Sequence, residues 1–327
     1  MTAHGFWLRR YALALVLVFW AMSASAVDEV APTPLQPCVH ELQYEPFAGL
    51  ILVSLTINDS PPLDFVLDSG ATQSSITDPF LAAALGLEVR EAGLARGMGS
   101  GATRVLIAED ACLRADGEEI LCTPLVVHDI GVRLSAMAGR ELHGFLGADL
   151  FERWVVEIDP ANRRLLLHDP ESYVDPPQGE HLHLEVVDRR PIVDAEVVTE
   201  VGKKPLDVRL VVDTGSSRYL TLITRSRRRL KPPVEQTLGA SVGVVGDTLV
   251  PIAPVAQLTV GTRVVSNLET AWMEPYQIPA IRNIPNLNGI LGNALLGRFH
   301  TVLDYHHGRL IVGPLFGYPD VVNEIPD

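Results

Sequence analysis

With 327 residues, the chain is long enough for two cores of ordinary domain size. Its 40 acids outnumber 26 lysines and arginines, for a net charge of −14, and so acidic a molecule excludes nucleic acid as its partner. Three scattered cysteines and ten histidines offer no metal-site spacing, so neither a metal nor another cofactor is expected.

The first residues read as a targeting segment. Arg9 and Arg10 precede an apolar stretch, Tyr11 to Met22, that is too short for a comfortable membrane span. Ala24-Ser25-Ala26 then supplies small residues for cleavage near Ala26–Val27. Residues 1–26 are therefore expected to be a signal peptide, leaving a mature chain of about 301 residues in a secreted or periplasmic location. An uncleaved anchor is the alternative, and ordinary secretion fits the flanks of the two arginines better than a twin-arginine route. Cleavage removes two arginines and no acid, which moves the net charge to −16. No later stretch is long and apolar enough to span a bilayer.

Beyond the proline-rich Ala31–Pro37, short runs of Val, Ile, Leu and Thr recur, as in Leu50–Ile57, Leu125–Val127 and Val255–Val260. Asn-Asp, Asp-Gly and Gly-Thr punctuate them, which predicts a mostly β chain. A short helix is expected over Asp78–Leu85, capped by Asp78 with Pro79 in its first turn, and another short helical segment over Leu295–Arg298. Cys112 and Cys122 flank a segment centred on Asp116-Gly117, a hairpin signal. They either face each other as a disulfide or remain two buried thiols; Cys38 is left over. From His168 to Gly179 the chain is rich in proline and acid without periodicity, a linker between a first lobe, 38–170, and a second, 180–327. Arg225, Arg227, Arg228, Arg229 and Lys231 read as solvated surface. His181 and His183 alternate on a strand and His306 and His307 sit in a turn, neither pair with a third ligand.

Two triplets carry the chemistry. Asp68-Ser69-Gly70 ends the run Phe65-Val66-Leu67, and Asp213-Thr214-Gly215 ends Leu210-Val211-Val212. Gly144 of Gly144-Phe145-Leu146-Gly147 follows Asp68 by 76 positions, and Gly289 of Gly289-Ile290-Leu291-Gly292 follows Asp213 by the same 76. Asp159 maps to Asp304 and Arg164 to Arg309, again 145 residues apart, so the chain is an internal repeat of domain size. Trp154 and Phe299 hold equivalent, core-type positions. Each acid follows apolar residues into a tight turn that Gly70 or Gly215 permits. Ser69 and Thr214 offer hydroxyls that can bond across to the opposite turn. Two carboxylates about 3 Å apart share one proton, and such a pair can activate water for attack on an amide.

These motifs resemble those of the pepsin-like and retropepsin-like aspartic proteases over nearly all of the mature chain. The resemblance implies two pseudo-symmetric β-barrel lobes around a central cleft, with Asp68 and Asp213 as the catalytic pair. Ser69 and Thr214 would be the cross-linking hydroxyls. It also implies flap hairpins over a peptide or protein substrate. Gly97, Met98, Gly99 and Gly101 are candidates in the first lobe, and Gly243 and Gly246 in the second, with Gly101 mapping to Gly246. A mobile surface hairpin is the plainer reading of either stretch. The first flap region lacks the tyrosine that pepsin-like enzymes carry there, which fits a fused, single-chain version of the retropepsin dimer better. The expected protein is a monomeric aspartic endopeptidase with an internal pseudo-dimer, without a stable membrane span after cleavage. The alternative is a catalytically silent peptide- or envelope-binding protein on the same fold.

Overall fold

Apolar β-branched runs separated by turn residues do form strands: among the described residues 53% are strand and 11% helix. The computed structural model describes residues 40–95, 103–176, 178–224, 230–243, 246–281 and 284–315. Residues 1–26, expected to be a signal peptide, Cys38, the candidate flap residues Gly97, Met98, Gly99 and Gly101, and Arg225–Arg229 lie outside the described residues. Among the described residues, no helix is long and apolar enough to cross a membrane.

In chain order the first half contains β1 (His40–Phe47), β2 (Leu50–Ile57), β3 (Leu63–Leu67), β4 (Ser75–Ile76), α1 (Pro79–Ala84), β5 (Val89–Ala95), β6 (Thr103–Ala115) and β7 (Glu118–His128). It continues with α2 (Gly131–Ala138), β8 (Gly144–Leu146), α3 (Ala148–Arg153), β9 (Val155–Asp159) and β10 (Arg164–His168). The second half opens with β11 (Glu180–His183), β12 (Glu185–Val187), β13 (Arg190–Val198), β14 (Leu206–Asp213), β15 (Leu220–Ile223), β16 (Thr237–Gly243) and β17 (Gly246–Ile252). Then come β18 (Val255–Val260), β19 (Arg263–Leu268), β20 (Thr270–Met273), a 3-10 turn (Pro275–Gln277), β21 (Gly289–Gly292), α4 (Asn293–Leu296), β22 (Phe299–Asp304) and β23 (Arg309–Leu315).

Strands β2-β3-β8-β4-β7-β6 pair in that order and β6 returns to β2, closing a six-stranded barrel. In the second half β13-β14-β21-β15-β20-β17 pair in order, and β18 returns to β13. Even the register repeats: Phe65 lies opposite Gly144 in one parallel pair and Leu210 opposite Gly289 in the other. One difference has a local cause. Where β6 runs unbroken, its counterpart is divided between β17 and β18 at Ala253-Pro254, since proline cannot donate to a ladder.

A second six-stranded system, antiparallel throughout, runs β11-β23-β22-β9-β10-β1. Each half gives it three strands. They meet at β9 and β22, where Glu157 faces Val302 between the flanking pairs Ile158–Thr301 and Val156–Leu303. The main hydrophobic core also takes residues from both halves, including Phe65, Phe151, Trp154, Leu210, Trp272 and Phe299. Residues Gln36–Asp327 accordingly make one compact unit.

Local expectations meet the structure closely. Asp78 caps α1 by accepting a hydrogen bond from the Phe80 N–H at 2.7 Å. Asp116 and Gly117 take φ values of 50° and 84°, as a tight hairpin turn requires, and place Cys112 opposite Cys122 in a disulfide. The late helical segment starts earlier than expected, at Asn293, because the Asn293 N–H bonds the Ser216 carbonyl at 2.7 Å. Helix α2 departs from the sequence expectation: none of its residues is fully buried, and only Leu134 and Ala138, one turn apart, pack against a small core cluster, a pattern too short to read in the sequence.

Candidate active site

Strands β3 and β14 each run apolar into the site and end at an acid. Beneath them, β8 and β21 press close. A Cβ at Gly144 would lie 2.2 Å from the Ser75 carbonyl oxygen, and one at Gly289 would lie 2.1 Å from that of Thr221. The glycine at the head of each repeated element is thus a condition of close strand approach. Ahead of α3, the Gly147 N–H bonds Ser74 Oγ, whose hydroxyl in turn donates to buried Asp149 at 2.7 Å.

Two buried hydroxyls lock the turns to one another. Ser69 N–H donates to Thr214 Oγ1 at 3.0 Å, and Thr214 N–H donates to Ser69 Oγ at 3.0 Å. The hydroxyls then pass the exchange on, Ser69 Oγ to the Val212 carbonyl at 2.7 Å and Thr214 Oγ1 to the Leu67 carbonyl at 2.9 Å. Each bond has its counterpart 145 residues along the chain. Ser69 and Thr214 are fully buried, so all four bonds lie out of water, where a missing partner is costly.

Asp68 and Asp213 are thereby set side by side, partly buried, with their carboxyls in hydrogen-bonding reach. Asp68 Oδ1 accepts from the N–H groups of Gly70 and Ala71, both at 3.0 Å. Asp213 Oδ1 accepts from the Gly215 N–H alone, at 2.9 Å. Burial raises the pKa of Asp68 above its ordinary 3.8, against the pull of those N–H groups. Asp213 is pushed up well above 3.8, by burial first and then by the charge of Asp68. Two acids so placed share one proton, and the second N–H donor on Asp68 favours that acid as the anion.

Of three residues that sequence reading did not single out, two lie against the pair and the third lies just beyond the second turn. Arg190 is buried at the start of β13; its Nε donates to the Gly70 carbonyl at 2.8 Å, and Asp188 holds its Nη1 at 2.7 Å. Its positive charge opposes the upward shift of both acids. The Tyr305 hydroxyl reaches the Ser69 carbonyl at 3.4 Å while its ring stacks on Phe151. Burial, then the charges of Asp68 and Asp213, push the Tyr305 phenol well above its ordinary value. Arg218, five residues after Asp213, donates to the Ala240 carbonyl of β16 at 2.7 Å. No sequence pattern marks these three, because each depends on chain remote from it.

Of the expected site residues, the structure brings Asp68, Ser69, Gly70, Asp213, Thr214 and Gly215 together. Gly243 and Gly246 face each other as the last pair of the β16–β17 hairpin, whose tip, Val244-Val245, lies outside the described residues. In the first half, the arms β5 and β6 form the corresponding hairpin. No protein-family model matches this sequence, and comparison with the curated proteins finds no match.

Proposed function

We propose that the protein is an aspartic endopeptidase of the retropepsin-like kind, its two halves acting as fused lobes about an approximate twofold axis. The carrying observation is the exchange of hydrogen bonds between Ser69 and Thr214, which fixes Asp68 beside Asp213. Repetition of the strand pairings at an offset of 145 residues supports the same reading.

In this reading a water sits between the carboxyls. Asp68, ionised, takes a proton from it as its oxygen attacks the scissile carbonyl carbon, and protonated Asp213 gives its proton to the carbonyl oxygen. Collapse of the tetrahedral intermediate breaks the C–N bond. The proton gained by Asp68 passes to the leaving amine, and the hydroxyl proton returns to Asp213, so one water is consumed per bond cut. The substrate is an extended peptide laid along the hairpins, in a secreted or periplasmic setting.

The test is cleavage of an unbiased peptide library by the pure protein across several pH values, with Asp68→Asn and Asp213→Asn variants alongside. Loss of all cleavage in both variants is the expected result. Cleavage that survives either substitution overturns the proposal. Binding of a pepstatin-type inhibitor without cleavage of any peptide would favour a silent peptide-binding protein.

A further inference from the structure

Most of the half-buried arginines among the described residues hold a carboxylate; Arg218 does not, and neither does Arg298, which donates instead to the Tyr219 hydroxyl at 3.1 Å. Arg140 holds Glu45 and Asp64, Arg164 holds Asp159 and Glu41, Arg263 holds Glu180, and Arg309 holds Asp304 and Asp175. Among the described residues, no carboxylate lies within ion-pair distance of Arg218, whose one hydrogen bond goes to the Ala240 carbonyl. A guanidinium has five N–H groups, so most of its donors are not taken up by the protein. Its partial burial pulls its pKa below the ordinary arginine value, the mark of a cation held out of water without a counter-charge; the charge of Glu269 opposes that only in part.

Its position ties this vacancy to the site. Arg218 spans from the turn that carries Asp213 to the β16 arm of the hairpin, so whatever lies between turn and hairpin meets it. The equivalent residue in the first half is Gln73, which is neutral and donates to the Pro124 carbonyl at 3.3 Å. At this pair of equivalent positions the two halves therefore differ by one full positive charge.

We propose that Arg218 binds an acidic side chain of the peptide substrate, on one side of the scissile bond only, so that the near-symmetric site takes its substrates in one direction. A carboxylate matches the planar fork of the guanidinium and supplies the missing counter-charge. This inference rests on the endopeptidase reading for the term substrate, but not for the recognition itself.

The experiment uses fluorescein-labelled peptides with one Glu stepped through an otherwise uncharged sequence, each matched by its Gln twin. Binding is read by anisotropy at pH 6 on full-length protein carrying Asp68→Asn, with Arg218 intact, Arg218→Gln or Arg218→Glu. We expect the Glu peptide to bind about tenfold tighter than its Gln twin at a single position, as a partly buried charge-assisted pair allows. Arg218→Gln should abolish that ratio, and Arg218→Glu should transfer the preference to a Lys peptide, which also shows that the variant is folded. Equal binding of Glu and Gln peptides throughout, or no binding of any peptide, overturns the inference. A Glu preference that follows Arg218, in a protein whose unsubstituted form cuts no peptide, sustains the inference and overturns the endopeptidase reading.

Discussion

Gly70 stands so close to Asp213 that a methyl group added to it would lie 2.6 Å from the Asp213 Cγ, and Gly215 bears the same relation to Asp68 at 2.3 Å. Each turn thus makes room for the acid of the other. Gly70→Ala or Gly215→Ala forces the carboxyls apart, and cleavage should fall at least 100-fold, a loss on the scale of a small misplacement of reacting groups. Gly117→Ala, at a hairpin with open space around the added carbon, is the control for general backbone damage. Peptidase assays of the three variants check this.

The hydroxyl exchange carries stability as well as geometry. Thr214→Val keeps the shape but leaves the Ser69 N–H and the Leu67 carbonyl without partners in a buried place. The expected cost is about 2–4 kcal/mol, from two stranded polar groups. Thr214→Ser retains the oxygen and should lose under about 1 kcal/mol. Urea unfolding at constant m-value measures both.

The dyad has a pH signature. Because the Asp213 pKa is raised in the folded protein, its ionisation opposes folding: its contribution is fully present below the ordinary 3.8 and is lost as pH climbs through the raised value. Asp213→Asn should remove that loss, and unfolding midpoints should show the variant gaining on the parent protein as pH rises above about 4. Activity should follow a bell, rising as the pair loses its first proton and falling as it loses its second.

Glu157 gives the opposite signature. It accepts from His168 Nε2 at 2.8 Å and His300 Nε2 at 2.7 Å, across strands of both halves. Burial works to raise its pKa, yet these bonds hold it down at about 2, while donating to Glu157 raises His300 above its ordinary 6.5. Asp159 and Arg164 also act on His300, with opposite signs. The glutamate contributes above 4.5 and is lost as pH falls towards 2; the histidine contributes below 6.5 and is lost as pH rises through its raised value. Glu157→Gln should therefore destabilise most between about pH 4.5 and 6.5, by about 2–3 kcal/mol. Thermal unfolding of both proteins from pH 3 to 8 reads the window.

What was legible in the sequence was whatever repeats or turns locally. The spacing from Asp68 to Gly144 and from Asp213 to Gly289 is set by strands that must pair in parallel, so it survives in one dimension. Asp78 and Asp116-Gly117 act within a few residues of themselves. Arg190, Tyr305 and Arg218 were illegible, because their partners Gly70, Ser69 and Ala240 lie from 22 to 236 residues away. The disulfide was open until the register of β6 and β7 fixed it.

The pair of Glu157 with Val302 at the seam between the halves has a consequence for ancestry and design alike. Two copies of the first half, joined in the same register, would set one glutamate directly against another, a repulsive arrangement. The covalently joined chain meets aliphatic Val302 there and supplies His300 from the opposing half. Its two halves are unlike at the strand contact of the seam, where identical partners would have to match themselves. Severed at the linker, they should recombine with each other and refuse their own kind.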